Sequence, residues 1–167
     1  DGNITPEGGV VILDGAVTQG ATVTIDTTNG GGDAAGASVG FTGTIATATN
    51  DLNIDGGTDG TVTLADALTG GGDVTINNAA AVALAGVTAD SLTSTAAGAT
   101  TLKGATGTAG ADAAVVAVTS GTNGMNDGNI THEGGDVILD GAGNKCPQTY
   151  EVRLLQLSRG SPGTHAW

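Results

Sequence analysis

The chain has 167 residues and carries 17 Asp and Glu against only four Lys and Arg, a formal net charge of −13. Such an acidic chain repels nucleic acid and anionic membranes, so we expect neither as a partner. Aromatic residues make up 2% of the sequence, too few for the core of an ordinary globular domain. No apolar run reaches the roughly 20 residues of a membrane-spanning helix, so we expect no membrane insertion.

The charge is distributed unevenly along the chain. Residues 1–144 contain 16 acids, one lysine (Lys103) and no arginine, whereas the segment 145–167 has a net charge of +2. The only cysteine, Cys146, also lies in this last segment, which leaves the rest of the chain without a disulfide framework. An acidic body of this kind suits a protein that must stay soluble although it is rich in strands.

The chain opens with a motif that it repeats. Residues 1–16 (DGNITPEGGVVILDGA) return at residues 127–142 (DGNITHEGGDVILDGA), and 14 of the 16 positions agree. Only the pairs Pro6/His132 and Val10/Asp136 differ. A repeat unit that spans 1–126 and then restarts predicts a stacked repeat architecture. The sequence shows no signal peptide, and because it starts at Asp1 inside a repeat, we expect the chain to be a piece of a longer protein.

Short segments with alternating apolar residues recur from the first copy onward. In TVTI at residues 22–25, for example, Val23 and Ile25 stand two positions apart, which is the period of a strand with one buried face. Similar segments occupy residues 10–13, 61–64, 73–76 and 136–139. The alternation predicts that a set of aliphatic side chains points inward and stacks: Val23, Ile25, Leu64, Val74, Ile76 and Leu84.

The spacing of these segments predicts a coil of about 20 residues with two or three short strands. Val62 and Leu64, for example, align with Val82 and Leu84 in the next coil. An antiparallel sandwich is the alternative for short strands separated by glycine-rich turns. We favour a parallel β-solenoid, because its narrow interior is filled by small aliphatic residues and needs few aromatic ones. The expected fold class is therefore all-β, an open-ended parallel β-solenoid over residues 1–142.

The alternating pattern stops at Gly143. Residues 143–167 contain the only Cys, Trp and Tyr of the chain and all of its Arg. One interpretation is a cap, in which Val152, Leu154 and Leu157 cover the last coil. The other is a sequence foreign to the repeat, which we favour because natural caps seldom interrupt a repeat in mid-strand. We therefore divide the chain into a solenoid at 1–142 and a non-repeat tail at 143–167.

Three glycine-rich phrases carry a family resemblance: ASVGFTGTI at residues 37–45, GGGDVTI at 70–76 and AGATTLKGA at 97–105. They resemble phrases of the long bacterial β-strand-repeat surface proteins, which are similar to filamentous-haemagglutinin-like adhesins and autotransporter passenger domains. The resemblance covers residues 1–142. It implies a right-handed parallel β-helix, secretion to the cell surface, and an adhesive or matrix role, and it supplies no catalytic residues.

One segment resembles the start of a calcium-binding loop. Asp51, Asn53, Asp55 and Asp59 place oxygen ligands at positions 1, 3, 5 and 9 of an EF-hand pattern, and Gly56 stands at position 6. Position 12 is Val62, where a glutamate belongs. Because Leu52 and Ile54 also fit an inward-facing strand pair, we favour a strand edge followed by a glycine turn, with Ca²⁺ as the alternative and no other cofactor.

Other candidate sites are weaker. The Gly107–Asp112 segment resembles part of a calcium-binding nonapeptide, but it lacks one glycine and does not recur. An outward array of threonine pairs would suit ice binding, although threonine is also a good strand former. His132, His165 and Cys146 could supply a nucleophile and a base, but no catalytic motif surrounds them. The threonine pairs are Thr22/Thr24, Thr42/Thr44, Thr61/Thr63 and Thr93/Thr95.

These observations predict a structural or adhesive segment of a large secreted or cell-surface bacterial repeat protein. We expect it to associate end to end with further copies, and to bind a surface glycan or a host or matrix ligand. A solenoid that binds ice, calcium or glycan is the alternative. A hydrolytic enzyme ranks third, and we expect the chain not to be an enzyme.

Overall fold

A computed structural model of the chain describes residues 2–102, 106–108, 116–125, 130–131 and 137–143, with side chains described for residues 2–101. In this part of the chain all regular elements are β-strands, and all pairings between them are parallel. The predicted all-β parallel β-solenoid is thereby confirmed, and the antiparallel sandwich is excluded. The described residues contain no helix that could span a membrane. The division at residue 143 stays a prediction, because residues 144–167 lie outside the described part.

The chain passes through three short strands in each coil. In the first coil these are β1 (Val11–Leu13), β2 (Val17–Thr18) and β3 (Val23–Asp26). The second coil repeats the path and stacks its strands on those of the first coil. Its strands are β4 (Val39–Phe41), β5 (Ile45–Ala48) and β6 (Leu52–Asp55).

Later strands are longer because several of them continue around a corner from one face to the next. β7, for example, pairs with β4 through its first half and with β5 through its second half. The later strands are β7 (Thr61–Gly70), β8 (Val74–Asn78), β9 (Ala81–Ala89), β10 (Leu92–Leu102), β11 (Thr106–Thr108), β12 (Val116–Met125), β13 (Ile130–Thr131) and β14 (Val137–Gly143).

The parallel pairs form three stacks, which are the three faces of the solenoid. We call the stack that starts with β1 and β4 the first face, the stack of β2 and β5 the second face, and the stack of β3, β6 and β8 the third face. The number of residues between two partners paired on one face is the length of a coil. On the first face Val11 pairs with Val39 across the first coil, whereas Val82 pairs with Thr100 across a shorter middle coil. The predicted coil length thus fits the middle coils, and the first coil is longer.

The extra length of the first coil lies in the turn between the third and the first face. This turn occupies residues 27–38 in the first coil and residues 56–60 in the second. Later coils cross the same corner in still shorter turns. No apolar periodicity marks such a turn, so its length could not be read from the spacing of the strands.

The core consists of aliphatic ladders that run along the inside of each face. Val39, Val62 and Val82 stack in register on the first face, as do Phe41, Leu64 and Leu84. Five of the six side chains predicted to point inward are at most 1% exposed, and Val23, in the first coil, is half-buried against the core. Burying a side chain such as Ile76 away from water stabilises the folded chain by about 2 kcal/mol.

The two copies of the repeated motif lie on different faces. In the first copy Ile4 bridges to Ile25 on the third face, and β1 begins the first face. In the second copy Ile130 pairs with Thr106 on the second face, and Val137 pairs with Val116 on the third. One repeat unit, from the start of one copy to the start of the next, therefore makes five coils and two thirds of a sixth.

Candidate functional site

The outer surface of the third face carries polar side chains in columns. Thr24, Asn53, Thr75 and Thr93 occupy equivalent positions in four successive coils. Because neighbouring strands lie about 4.8 Å apart, these side chains form one evenly spaced column.

A second polar column runs along the corner just before the strands of the third face. The Asp51 amide donates to Thr22 Oγ1 at 3.2 Å, and the Asp73 amide donates to Asp51 Oδ1 at 3.0 Å. Ser91 Oγ then donates to Asp73 Oδ1 at 2.7 Å. These side chains link four coils, so the corner has a structural role in addition to any ligand it could bind.

The predicted calcium residues spread along β6 and the turn that follows it. Asn53 and Asp55 lie on the outer side of β6, and the carboxylate of Asp55 accepts from the Gly57 amide at 3.0 Å. Asp59 Oδ1 accepts from Thr58 Oγ1 at 3.2 Å, and Asp51 belongs to the corner column. Because β6 is extended, it does not curl around an ion. The described residues hold no group of three or more His, Cys, Asp and Glu side chains suited to a metal, and the calcium site stays a prediction.

The other candidate residues are scattered or lie outside the described part. Thr24 and the pair Thr93/Thr95 belong to the third face, Thr61/Thr63 belong to the first, and Thr22 and the pair Thr42/Thr44 lie in corners. No single face therefore carries all four threonine pairs. Asp112, His132, Cys146 and His165 lie outside the described residues.

Asp26 fastens the long turn of the first coil. Its Oδ1 accepts hydrogen bonds from the amide and the hydroxyl of Thr28, and its Oδ2 accepts from the Gly30 amide at 2.8 Å. The hydrogen bond from the Thr28 hydroxyl is the main cause that lowers the pKa of Asp26, partial burial opposes it, and the two amides add to the lowering. The carboxylate is thus held in the charged form that the turn requires.

The first coil ends in an open apolar cavity, which we call the mouth. Among the described residues β1 pairs only with β4 and β2 only with β5, so one edge of each strand is unpaired. The mouth has a volume of about 180 Å³. The apolar side chains that line it come from all three faces: Ile4, Leu13, Val17, Val23, Ile25, Phe41, Ile45 and Leu52.

Gln19 is the polar side chain buried at the mouth. It lines the cavity and is only 7% exposed. Its Nε2 donates to the Asp51 carbonyl at 3.2 Å, whereas its Oε1 has no partner. Sequence reasoning missed this residue because glutamine is usually exposed. The sequence contains one indication of its burial. Gln19 stands two positions after the inward-facing Val17, so the period of two places its side chain on the same inward side.

No protein-family model, curated protein or solved structure matches this chain. The described part of the chain offers two candidate surfaces, the outer third face and the mouth.

Proposed function

We propose that the chain is a structural or adhesive segment of a large secreted or cell-surface bacterial repeat protein, and that it associates end to end through its coils. The observation that supports this proposal is the mouth of the first coil. Among the described residues, the apolar ladders of the first and second faces end there, and one edge of β1 and one edge of β2 are unpaired. Exposed apolar core and unpaired strand edges are the two features that favour association with another chain.

Stacking of one copy on another would be a head-to-tail contact. Such a contact uses two different surfaces of the same chain, so it does not close and leads to filaments. The added coil would cover the mouth with aliphatic side chains and pair its backbone with the free edges. A stalk or fibre built in this way suits an adhesive role at a surface.

Charge opposes this association, because each copy carries a net charge of −13. Salt screens such repulsion over about 10 Å at 0.1 M and more strongly above that concentration. We therefore expect light scattering to show larger particles as NaCl is raised from 0.05 to 1 M. A chain that remains monomeric at all salt concentrations would contradict end-to-end association.

The tail is tested with the same measurement on a chain that lacks residues 145–167. If the tail is a cap, its deletion should increase association and lower the melting temperature. If it is foreign to the repeat, its deletion should leave the melting temperature unchanged.

A ligand-binding solenoid is the second candidate, and the polar columns of the third face favour it. Their evenly spaced hydroxyl, amide and carboxylate oxygens could contact ice, a calcium ion or a glycan. A rise in melting temperature with CaCl₂, inhibition of ice recrystallisation, or retention on a glycan array would each support one of these ligands. The absence of all three effects would leave the structural role alone. We propose no enzymatic activity.

A further inference from the structure

We propose that Asn29 and Gly30 form a self-modification site, at which the side-chain amide of Asn29 is lost as ammonia, and that Asp26 controls the rate of this reaction. The inference concerns the long turn of the first coil, residues 27–38, and the strand that leads into it. It does not depend on end-to-end association.

The chain contains the sequence Thr-Asn-Gly twice, at residues 28–30 and at residues 122–124. In this sequence the main-chain nitrogen of the glycine can attack the side-chain carbonyl carbon of the asparagine, because glycine has no Cβ to obstruct the approach. Since the three residues are the same at both sites, a large difference in reactivity between them must come from the fold.

The reaction converts asparagine into an acidic residue through a cyclic imide. The Gly30 nitrogen loses its proton and bonds to Cγ of Asn29, the bond from Cγ to Nδ2 breaks, and Nδ2 takes up a proton and leaves as ammonia. Water then opens the five-membered ring at either of its two carbonyls. One opening gives aspartate, and the other gives isoaspartate, in which the main chain runs through Cγ. Both products add a negative charge to the turn.

The fold leaves Asn29 accessible for this reaction. Asn29 and Gly30 are exposed, and both have a positive φ, of 54° and 65°. A Cβ placed on Gly30 or on Gly31 would meet nothing within 4 Å, so open space surrounds this part of the turn. The turn can therefore rearrange locally without displacing a neighbouring coil.

Asn123 has a different backbone environment. Its position in β12 is paired with Thr100 of β10 on one side and with Gly143 of β14 on the other. An extended strand that is held on both sides cannot fold back to bring the next main-chain nitrogen to a side-chain carbon. We therefore expect the folded chain to protect Asn123 and to leave Asn29 reactive.

Asp26 holds the proton that has to leave. Its Oδ2 accepts a hydrogen bond from the Gly30 amide at 2.8 Å, and hydrogen bonds to a carboxylate are stronger than those between neutral groups. In the cyclic imide the Gly30 nitrogen carries no proton, so Asp26 Oδ2 would lose this donor. The ring therefore forms only after the hydrogen bond has opened, and Asp26 slows the reaction in the folded chain.

The experiment incubates three full-length chains, the wild type, Asp26→Ala and Thr28→Val, in mildly alkaline buffer made with water enriched in heavy oxygen. Product formed during the incubation incorporates this oxygen, which separates it from product formed during later handling. An endoprotease that cuts before aspartate then releases the peptides that contain Asn29 and Asn123 for mass spectrometry. It also cuts before an aspartate formed at position 29 but not before isoaspartate, so the two products are told apart.

The wild type tests the modification site. In the folded chain the reaction at Asn29 should be at least about ten times faster than the reaction at Asn123, because only Asn29 lies in a turn that can open locally. In urea the two rates should agree within about twofold, because the fold no longer separates them.

The variants test the role of Asp26. Asp26→Ala should raise the rate at Asn29 about tenfold, the effect of losing one hydrogen bond to a charged group, and should leave Asn123 unchanged. Thr28→Val is the matched control, because it removes a hydroxyl that donates to Asp26 and accepts from the Gly31 amide but keeps the hydrogen bond from Gly30. It should raise the rate at Asn29 less than about threefold.

The outcomes that overturn the two parts differ. Equal rates at Asn29 and Asn123 in the folded wild type, or a slower rate at Asn29, would overturn the modification site. If Asp26→Ala leaves the rate at Asn29 unchanged, or if Thr28→Val raises it equally, Asp26 does not control the reaction. If Asp26→Ala raises the rates at both asparagines, the reaction follows unfolding of the whole chain, and the role of Asp26 is likewise overturned.

Discussion

Adjacent residues of one strand differ completely in their environment. Ile76 is 0% exposed inside β8, while Thr75 lies on the outer side in the polar column of the third face. Replacing Ile76 with Asp would bury a charge without a partner and should destabilise the fold by several kcal/mol. Thr75→Asp, one position away, should change the unfolding free energy by less than about 0.5 kcal/mol. Urea unfolding of both variants measures the difference, and equal losses would contradict the alternation of inner and outer side chains.

Asp26 predicts a pH dependence at the same scale. The pKa of Asp26 is lowered in the folded protein from the ordinary value of 3.8, which applies to the unfolded chain. The carboxylate therefore contributes its full stabilisation at a pH above 3.8, and this stabilisation is lost as the pH falls through the lowered pKa of the folded protein. Asp26→Asn keeps one carbonyl acceptor and has no such titration. We expect this variant to be less stable than the wild type by about 1 kcal/mol at pH 7 and the difference to shrink below pH 4.

The exposed Asp66 provides a matched control substitution, since among the described residues its Oδ1 accepts from the amide of the next residue, Ala67, and does not fasten a turn. Asp66→Asn should leave the stability at pH 7 unchanged. Thermal unfolding followed by circular dichroism between pH 7 and pH 2.5 compares the three chains. A constant difference between wild type and Asp26→Asn across this range would show that the carboxylate charge does not hold the turn.

Among the elements, the turns between the third and the first face depend on glycine because successive turns stack on one another. The Thr58 amide donates to the Ala34 carbonyl at 3.0 Å, and the Asp59 amide donates to the Ala35 carbonyl at 2.9 Å. A Cβ on Gly60 would collide with the backbone of Ala37 and Gly56. The two turns can lie this close only without a side chain at that position.

Two substitutions of the same kind test this requirement. Gly60→Ala should destabilise the fold by about 1–3 kcal/mol, because the backbone of the stacked turn would have to move. Gly40→Ala, in the middle of β4, meets nothing within 4 Å and should stabilise by about 0.5 kcal/mol, because alanine is ordered in a strand at lower entropic cost. The two midpoints in urea should shift in opposite directions. A loss of stability in both variants would mean that the outer side of β4 is not open.

The elements also show what could be predicted from the sequence. The period of two identified the inward side chains Ile25 and Ile76, because burial of one face of a strand is a local property. It could not predict the burial of Gln19, which depends on the coil next to it rather than on its own strand. The sequence favoured a strand edge over an EF-hand loop at Asn53 and Asp55, which lie in β6, but it could not decide about calcium because both patterns use the same residue types.

At the scale of the whole molecule, end-to-end association predicts how particles should grow. The third face contains seven stacked levels, from Ile4 to β14. At a spacing of about 4.8 Å, these levels give the solenoid a length of about 30 Å. Small-angle X-ray scattering at rising salt should show the longest dimension increasing by at least about 30 Å with each added copy. The cross-section should stay constant, whereas side-by-side association would enlarge it.

The placement of the repeated motif on two different faces has a consequence for a longer tandem array. If further repeat units followed with the same geometry, each copy would begin one third of a turn behind the previous one. The same outward residues would then return to one side of the rod only at every third unit, about 80 Å apart. Successive units would point in three directions around the axis. Such a fibre would present the same outward residues on three sides around its axis, so it would not have to turn one particular side towards a binding partner.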